Sequence, residues 1–157
     1  MKLIVELTSK NLIKKYIKLS NISYLIVGYE KLSLNTKGLF NKEELVEIYE
    51  LLKKSDIRLI LNAERLFSDE ELCFVKTLIN ENFFDIFEYV MYSDFGFKNI
   101  LEEENVNIKY IFKAATYLTN HKDINEYNNL NEYIVASSEI SSTELIDLSK
   151  KVSKNII

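Results

Sequence analysis

At 157 residues, with 47% hydrophobic and 28% charged, the chain has the size and composition of one globular domain with a sizeable core. A net charge of −4 with interspersed signs excludes a broad basic surface for nucleic acid backbones, though a local pocket for one stays open. The single cysteine, Cys73, excludes an intrachain disulfide and any multi-cysteine metal or iron–sulfur site, and no apolar run approaches a membrane span.

Apolar runs alternate with amphipathic stretches along the chain. Residues 3–7 predict a strand, and Ser9 starts a helix whose apolar face is Leu12, Ile13, Tyr16 and Ile17. Tyr24-Leu25-Ile26-Val27, closed by Gly28, is apolar at every position and suits a strand buried on both faces. A polar connector follows. Asn41 and Glu44 then form a capping pair for a helix with Leu45, Ile48 and Leu52 on one face. Residues 57–61 predict the third strand, ending at Asn62. Ser68 and Glu71 form a second capping box, opening a helix with Leu72, Val75, Leu78 and Ile79 inward. Cys73 on that helix reads as a reduced core thiol. Residues 84–91 predict the fourth strand, with Asp94 as a cap for a short helix, and residues 108–112 the fifth. Residues 119–131 are rich in asparagine and carry the weakest helical pattern. Residues 133–136 predict the sixth strand, before a third capping box at Ser141 and Glu144.

Six strand–helix units at a spacing of roughly 25 residues fit an open doubly wound sheet or a (β/α) barrel, which needs eight units. The chain has no Gly-x-Gly-x-x-Gly after its first strand and no Gly-Lys-Ser/Thr loop, and its three glycines make phosphate-cradling loops a poor fit. Met1-Lys2-Leu3-Ile4-Val5-Glu6 is too soon interrupted by charge for a signal peptide, so a cytoplasmic location is expected.

Several segments, in order and spacing, resemble the collagenase-like peptidase U32 family. They are Tyr24-Leu25-Ile26-Val27-Gly28 with Leu32-Ser33-Leu34, and Phe40-Asn41-Lys42-Glu43-Glu44-Leu45. Leu61-Asn62 with Ser68-Asp69-Glu70-Glu71-Leu72 follows, then Tyr92-Ser93-Asp94-Phe95-Gly96. Thr116-Tyr117-Leu118-Thr119-Asn120 and Ala136-Ser137-Ser138-Glu139-Ile140-Ser141 complete the set. The resemblance implies an incomplete TIM-like (β/α) barrel of about six parallel strands, ending before strands seven and eight, with Lys154-Asn155-Ile156-Ile157 as the start of the seventh. It also implies a hydrolase of the peptidase type, since the family is associated with collagen or peptide degradation. Other members hydroxylate RNA bases or quinone precursors. The chain departs from the family in three places. Glu6-Leu7-Thr8 stands where a Pro-Ala-Gly turn is usual, and Asn35 or a neighbour replaces an arginine. The family's cysteines, which in some members hold an iron–sulfur cluster, lie mostly beyond Ile157. No cofactor is expected, and with no His-x-x-x-His or Asp/His cluster no metal is expected either.

A (β/α) barrel places its active site at the carboxyl ends of its strands. Those positions and the loops after them offer Glu6, Gly28, Asn62, Asp94, Lys113, Thr116, Ser137 and Glu139. Glu139, Asp94 and Lys113 are the catalytic candidates, the carboxylates as acid, base or, if they converge with Glu6, divalent-cation ligands, and the lysine to hold an anionic group or keep a carboxylate ionised. Asn62, Glu6, Ser137 and Thr116 are candidates for binding substrate. Asp94 also fits a helix cap, and Glu139 a solvated loop residue or a partner of Lys113. Asn62, Asp94, Lys113 and Glu139 are expected to line one wet polar pocket, with Glu6 and Ser137 at its edge. His121, the one histidine, has no nucleophile beside it in sequence and reads as a surface residue. Three readings stay open: a peptidase-type hydrolase binding a peptide or small molecule, a relative of the hydroxylating branch, and a non-catalytic truncated barrel used for assembly. In the last, the open strand edges and the apolar tail promote self-association.

Overall fold

The computed structural model describes residues 3–34, 36–114, 118–152 and 156–157. Strand β1 (Leu3–Glu6) leads through a 3-10 turn at Lys10–Leu12 into the single-turn helix α1 (Ile13–Tyr16). Strand β2 (Ile22–Tyr29), the two-residue strand β3 (Leu39–Phe40) and helix α2 (Lys42–Leu52) follow. Then come β4 (Arg58–Ala63), α3 (Asp69–Asn80), β5 (Tyr89–Tyr92), α4 (Phe95–Glu103), β6 (Lys109–Phe112), α5 (His121–Asn128), β7 (Tyr133–Ile134) and α6 (Ser142–Ser149). The sheet runs β1-β2-β4-β5-β6-β7, every pair parallel, with β3 paired to β2 off that path. This is the incomplete barrel expected, with no reversal in strand order. Ile156 makes a parallel bridge to Ile134, where the seventh strand was expected to begin; Lys154 and Asn155 lie outside the described residues.

Two apolar clusters divide the strands by alternation. Leu25, Val27, Leu59, Leu61, Val90, Tyr92, Phe112 and Ile134 belong to the larger one, together with helical residues such as Leu45, Ile48, Val75, Leu78, Phe97 and Ile124. Ile60, Tyr89, Met91 and Ile111 form the second, with Ile4, Tyr24, Ile26, Tyr133 and Val135 against them. Successive strand residues point to opposite faces, so the first set is the helix-covered outer face and the second the concave inner face. Each fully buried aliphatic or aromatic side chain contributes roughly 1.5–3 kcal/mol, and the outer face holds most of them.

All three capping boxes form. Asn41, Ser68 and Ser141 accept from the backbone N–H three residues on, and Glu44, Glu71 and Glu144 reach back to the cap. Three details differ from the sequence reading. Residues 83–86 form a 3-10 turn instead of entering the fourth strand, because Asn82 adopts a left-handed conformation (φ 55°) and starts a new turn after α3. Cys73 is exposed, since Val75 and Leu78 take the buried face of α3. The connector after β2 holds a short strand: Gly28 N–H donates to the Gly38 carbonyl at 3.0 Å, and Glu30 N–H to that of Phe40 at 3.2 Å.

That connector lies against β1. A Cβ on Gly38 would overlap the carbonyl oxygen of Leu7, so glycine is required for close approach of two backbones. We expect Gly38→Ala to destabilise the fold by about 2–3 kcal/mol, read as a lower urea midpoint at unchanged slope.

Candidate functional site

The register of the parallel ladder sets the site. Ala63, Tyr92 and Phe112 are paired across β4, β5 and β6. The next residues, Glu64, Ser93 and Lys113, therefore share a rung, and alternation turns them to the inner face above Asn62, Met91 and Ile111. Lys113 N–H donates to the Tyr92 carbonyl at 2.9 Å, so the ladder continues through this rung. The Ser93 hydroxyl donates to the Lys113 carbonyl at 2.7 Å. Above it the lysine side chain spans β5, placing Nζ 2.5 Å from Glu64 Oε2. The carboxylate is the more sheltered partner, with 14% of its side chain exposed against 34% for the lysine. A charge pair with one sheltered member interacts more strongly than one free in solvent.

Asn62 stands one inner-facing position below Glu64 and is 5% exposed. Its Oδ1 accepts from Glu64 N–H at 3.0 Å, a two-residue side-chain turn that shapes the end of β4. Its carbonyl accepts from the Ser33 hydroxyl, which in turn accepts from Tyr29 N–H at 2.8 Å. Because Oδ1 faces a backbone donor, the amide orientation is fixed, and Nδ2 has no acceptor among the described residues.

Glu6, at the end of β1, carries the second carboxylate. The Thr36 hydroxyl donates to its Oε1 at 2.5 Å and Lys37 N–H to the same oxygen at 2.6 Å. The Thr36 hydrogen bond, with the Lys37 amide and the charges of Lys37 and Lys113, holds this carboxyl below the usual glutamate range against the opposing effect of burial. The influence of Lys113 on Glu6 puts both carboxylates in the field of one ammonium. Arg65 braces the surrounding loops: it pairs with Glu71, donates to the Lys31 carbonyl at 3.3 Å and lies 4.9 Å from the Phe67 ring centre.

The inner rim thus gathers Glu6, Asn62 and Lys113 from the sequence candidates. Asp94 stands apart. Its Oδ1 accepts from Phe97 N–H at 2.9 Å and its Oδ2 from Phe67 N–H at 3.1 Å, so it caps α4 on the helix side. Alternation separates it from Ser93, which faces inward. Glu139 is exposed in the turn after Ser137, and its side chain makes no hydrogen bond or ion pair among the described residues. Ser137 is buried, its Oγ accepting from Glu139 N–H at 3.2 Å. Thr116 lies outside the described residues. The expected grouping of Lys113 with Asp94 and Glu139 is therefore replaced by Lys113 with Glu64 and Glu6. Sequence reasoning missed Glu64, Ser93, Thr36 and Lys37. The inner-face alternation Ile60, Asn62, Glu64 was the available signal for the first.

Among the described residues, no group of three or more His, Cys, Asp or Glu side chains is placed to hold a metal ion, and no helix is long and apolar enough to cross a membrane. No family model matches the sequence, and no curated protein matches it. Among solved structures, that of the U32 peptidase Mk0906 aligns with 99% of this chain and 67% of its own at a TM-score of 0.77 and 12% identity. DHDPS from Cyanidioschyzon merolae, solved with lysine bound, aligns with 97% of this chain and 60% of its own at a TM-score of 0.57 and 9% identity. The fold is therefore U32-like, an incomplete barrel of TIM type, and at these identities the likeness is one of fold.

The state of Glu6 gives a pH test. A carboxyl whose folded value is depressed stabilises the fold at neutral pH, and that stability is lost as pH falls below the ordinary value of about 4.5 and through the lowered one. We expect the urea midpoint to fall over this acid range in the native protein, and to fall less in Glu6→Gln. Equal pH slopes would remove Glu6 as a source of acid sensitivity.

Proposed function

We propose that this chain is a peptide-directed barrel with hydrolase chemistry centred on Lys113, Glu64 and Asn62. The observation that carries this reading is the Lys113–Glu64 pair on the inner rim, reaching across β5 beside Asn62, whose Nδ2 has no acceptor among the described residues. The U32-like fold supports a peptide as the substrate class. Leu34 and Leu66 add exposed apolar side chains on the loops after β2 and β4, where a peptide side chain could rest.

In this reading a peptide carbonyl oxygen accepts from Asn62 Nδ2 and from Lys113, whose ammonium has three donor hydrogens and gives one of them to Glu64. Water attacks the carbonyl carbon and gives its proton to the Glu64 carboxylate. The new C–O bond leaves negative charge on the former carbonyl oxygen, next to the ammonium and the amide. As the C–N bond breaks, the Glu64 carboxyl returns the proton to the departing amine. Glu6, held ionised by its own donors, lends Lys113 a second negative neighbour without taking part in proton transfer.

A second reading has its own observation. Leu3 and Leu7 direct their N–H groups to β2, so alternation turns those of Ile4 and Glu6 to the open side of β1, which pairs with no other described strand. Such an edge invites another chain, as in self-association of an assembly module.

Both readings have direct tests. Mass spectrometry of new amino termini in a peptide library should show cleavage by the native chain. Lys113→Met and Glu64→Gln, folded by circular dichroism, should each lose about 100-fold or more in rate. Cleavage at the native rate in both variants would end the hydrolase proposal. For the edge, sedimentation should show species larger than a monomer, shifting to monomer in Ile4→Pro, which removes an outward N–H and leaves the β2 ladder intact. A native monomer at all concentrations would end the assembly reading.

A further inference from the structure

The inner face away from the rim carries a group of side chains that the proposed chemistry does not use. Tyr24 on β2, Tyr89 on β5 and Tyr133 on β7 project there in succession. The Tyr24 and Tyr89 ring centres are 5.5 Å apart at 81°, and those of Tyr89 and Tyr133 5.7 Å apart at 65°. Both are edge-to-face pairs, in which the positive edge of one ring meets the negative face of the next. With Ile4, Ile60, Ile111 and Ile157, the three rings line a cavity of about 150 Å³.

An ion pair borders this cavity. Lys109 Nζ lies 3.2 Å from Glu88 Oε1 and 5.2 Å from the Tyr89 ring centre, so the cation site over that ring is filled from within the chain. The Tyr24 hydroxyl donates to the same Glu88 oxygen at 3.4 Å. Burial pushes the phenols of Tyr24 and Tyr89 up, which keeps both rings neutral at physiological pH. What remains is a space bounded by isoleucine methyl groups and tyrosine rings, with no charged side chain among the described residues that line it. Water in a space lined this way finds few partners, and a cavity near this volume accommodates one benzene-sized molecule.

We propose that this cavity binds a single uncharged aromatic ring, phenol-sized or smaller, stacked edge-to-face against the tyrosines. The isoleucines set its size, and the tyrosines set the preference for an aromatic over an aliphatic ring. The ring comes from a free small molecule or from a phenylalanine-type side chain. The proposal is independent of the chemistry assigned to the rim, because it uses none of the rim residues.

The experiment is a titration of the full chain with toluene, with cyclohexane of similar size, and with N-acetylphenylalaninamide, followed by NMR of isoleucine methyl groups. Saturable toluene binding that shifts the Ile60 and Ile111 methyl signals is expected, at least fivefold tighter than cyclohexane. Ile111→Trp should fill the cavity and weaken toluene binding more than tenfold; if that variant does not fold, Ile60→Phe makes the same test. Tyr133→Leu should bring toluene and cyclohexane to equal affinity. Binding of N-acetylphenylalaninamide in competition with toluene identifies a side chain as an admissible source, and its failure to bind restricts the site to free small molecules. No saturable toluene binding, equal affinity for cyclohexane in the native chain, or toluene binding unchanged when the cavity is filled would each overturn the proposal.

Discussion

The helix-covered outer face of the sheet decides where everything else points. Leu25, Leu59, Val90 and Phe112 are held against the helices, and a strand cannot slip by one residue without exposing that whole set. The neighbouring residues are then committed to the concave side. Asn62, Glu64, Ser93 and Lys113 face one another because apolar residues beneath them, on the opposite side of the sheet, have no better place to go. The polar rim is in this sense a by-product of hydrophobic registration. Its precision comes from packing density behind it, which resists small displacements far better than a surface ion pair could.

The rim's charges form a chain of dependence. Lys113 is the shared member, paired with Glu64 directly and felt by Glu6 through space. Glu64 is in turn set by the side chain of Asn62, which grips its backbone N–H. Glu6 is set by the connector after β2, through Thr36 and Lys37. Two carboxylates beside one ammonium thus have separate supports, one from the end of its own strand and one from a neighbouring loop.

Much of this architecture is legible in the sequence alone. The continuous apolar run at Tyr24–Val27, the three capping boxes and the cap at Asp94 are local signals, and local signals survive folding. Lys113, Asn62 and Glu6 were also legible as strand-end residues. Their partners were not. Glu64 continues the inner-face alternation one residue past β4, but its tie to Lys113 spans 49 positions in sequence, which no local pattern contains. Asp94 was legible both as a cap and as a strand-end carboxylate, because a carboxylate after a strand fits both roles in sequence, and the structure places it as the cap. Cys73 was placed inside because its neighbours Leu72 and Phe74 are apolar. Helical geometry instead gives the buried face to Val75 and Leu78. The strand β3 depends on Gly38 resting against Leu7, a long-range contact that no window of sequence contains.

That same contact has a dynamic consequence. An outermost strand usually frays on its own, opening at low free energy while the rest of the sheet stays closed. Here β1 is bonded on one side to β2 and pressed from above by the connector, whose amide and hydroxyl also hold the Glu6 side chain. Neither segment can leave without breaking the other's contacts. Contacts shared in this way tie the opening of the amino-terminal strand to that of residues 36–40. The local stability of the barrel's first strand is set as much by a loop more than thirty positions downstream as by its own ladder.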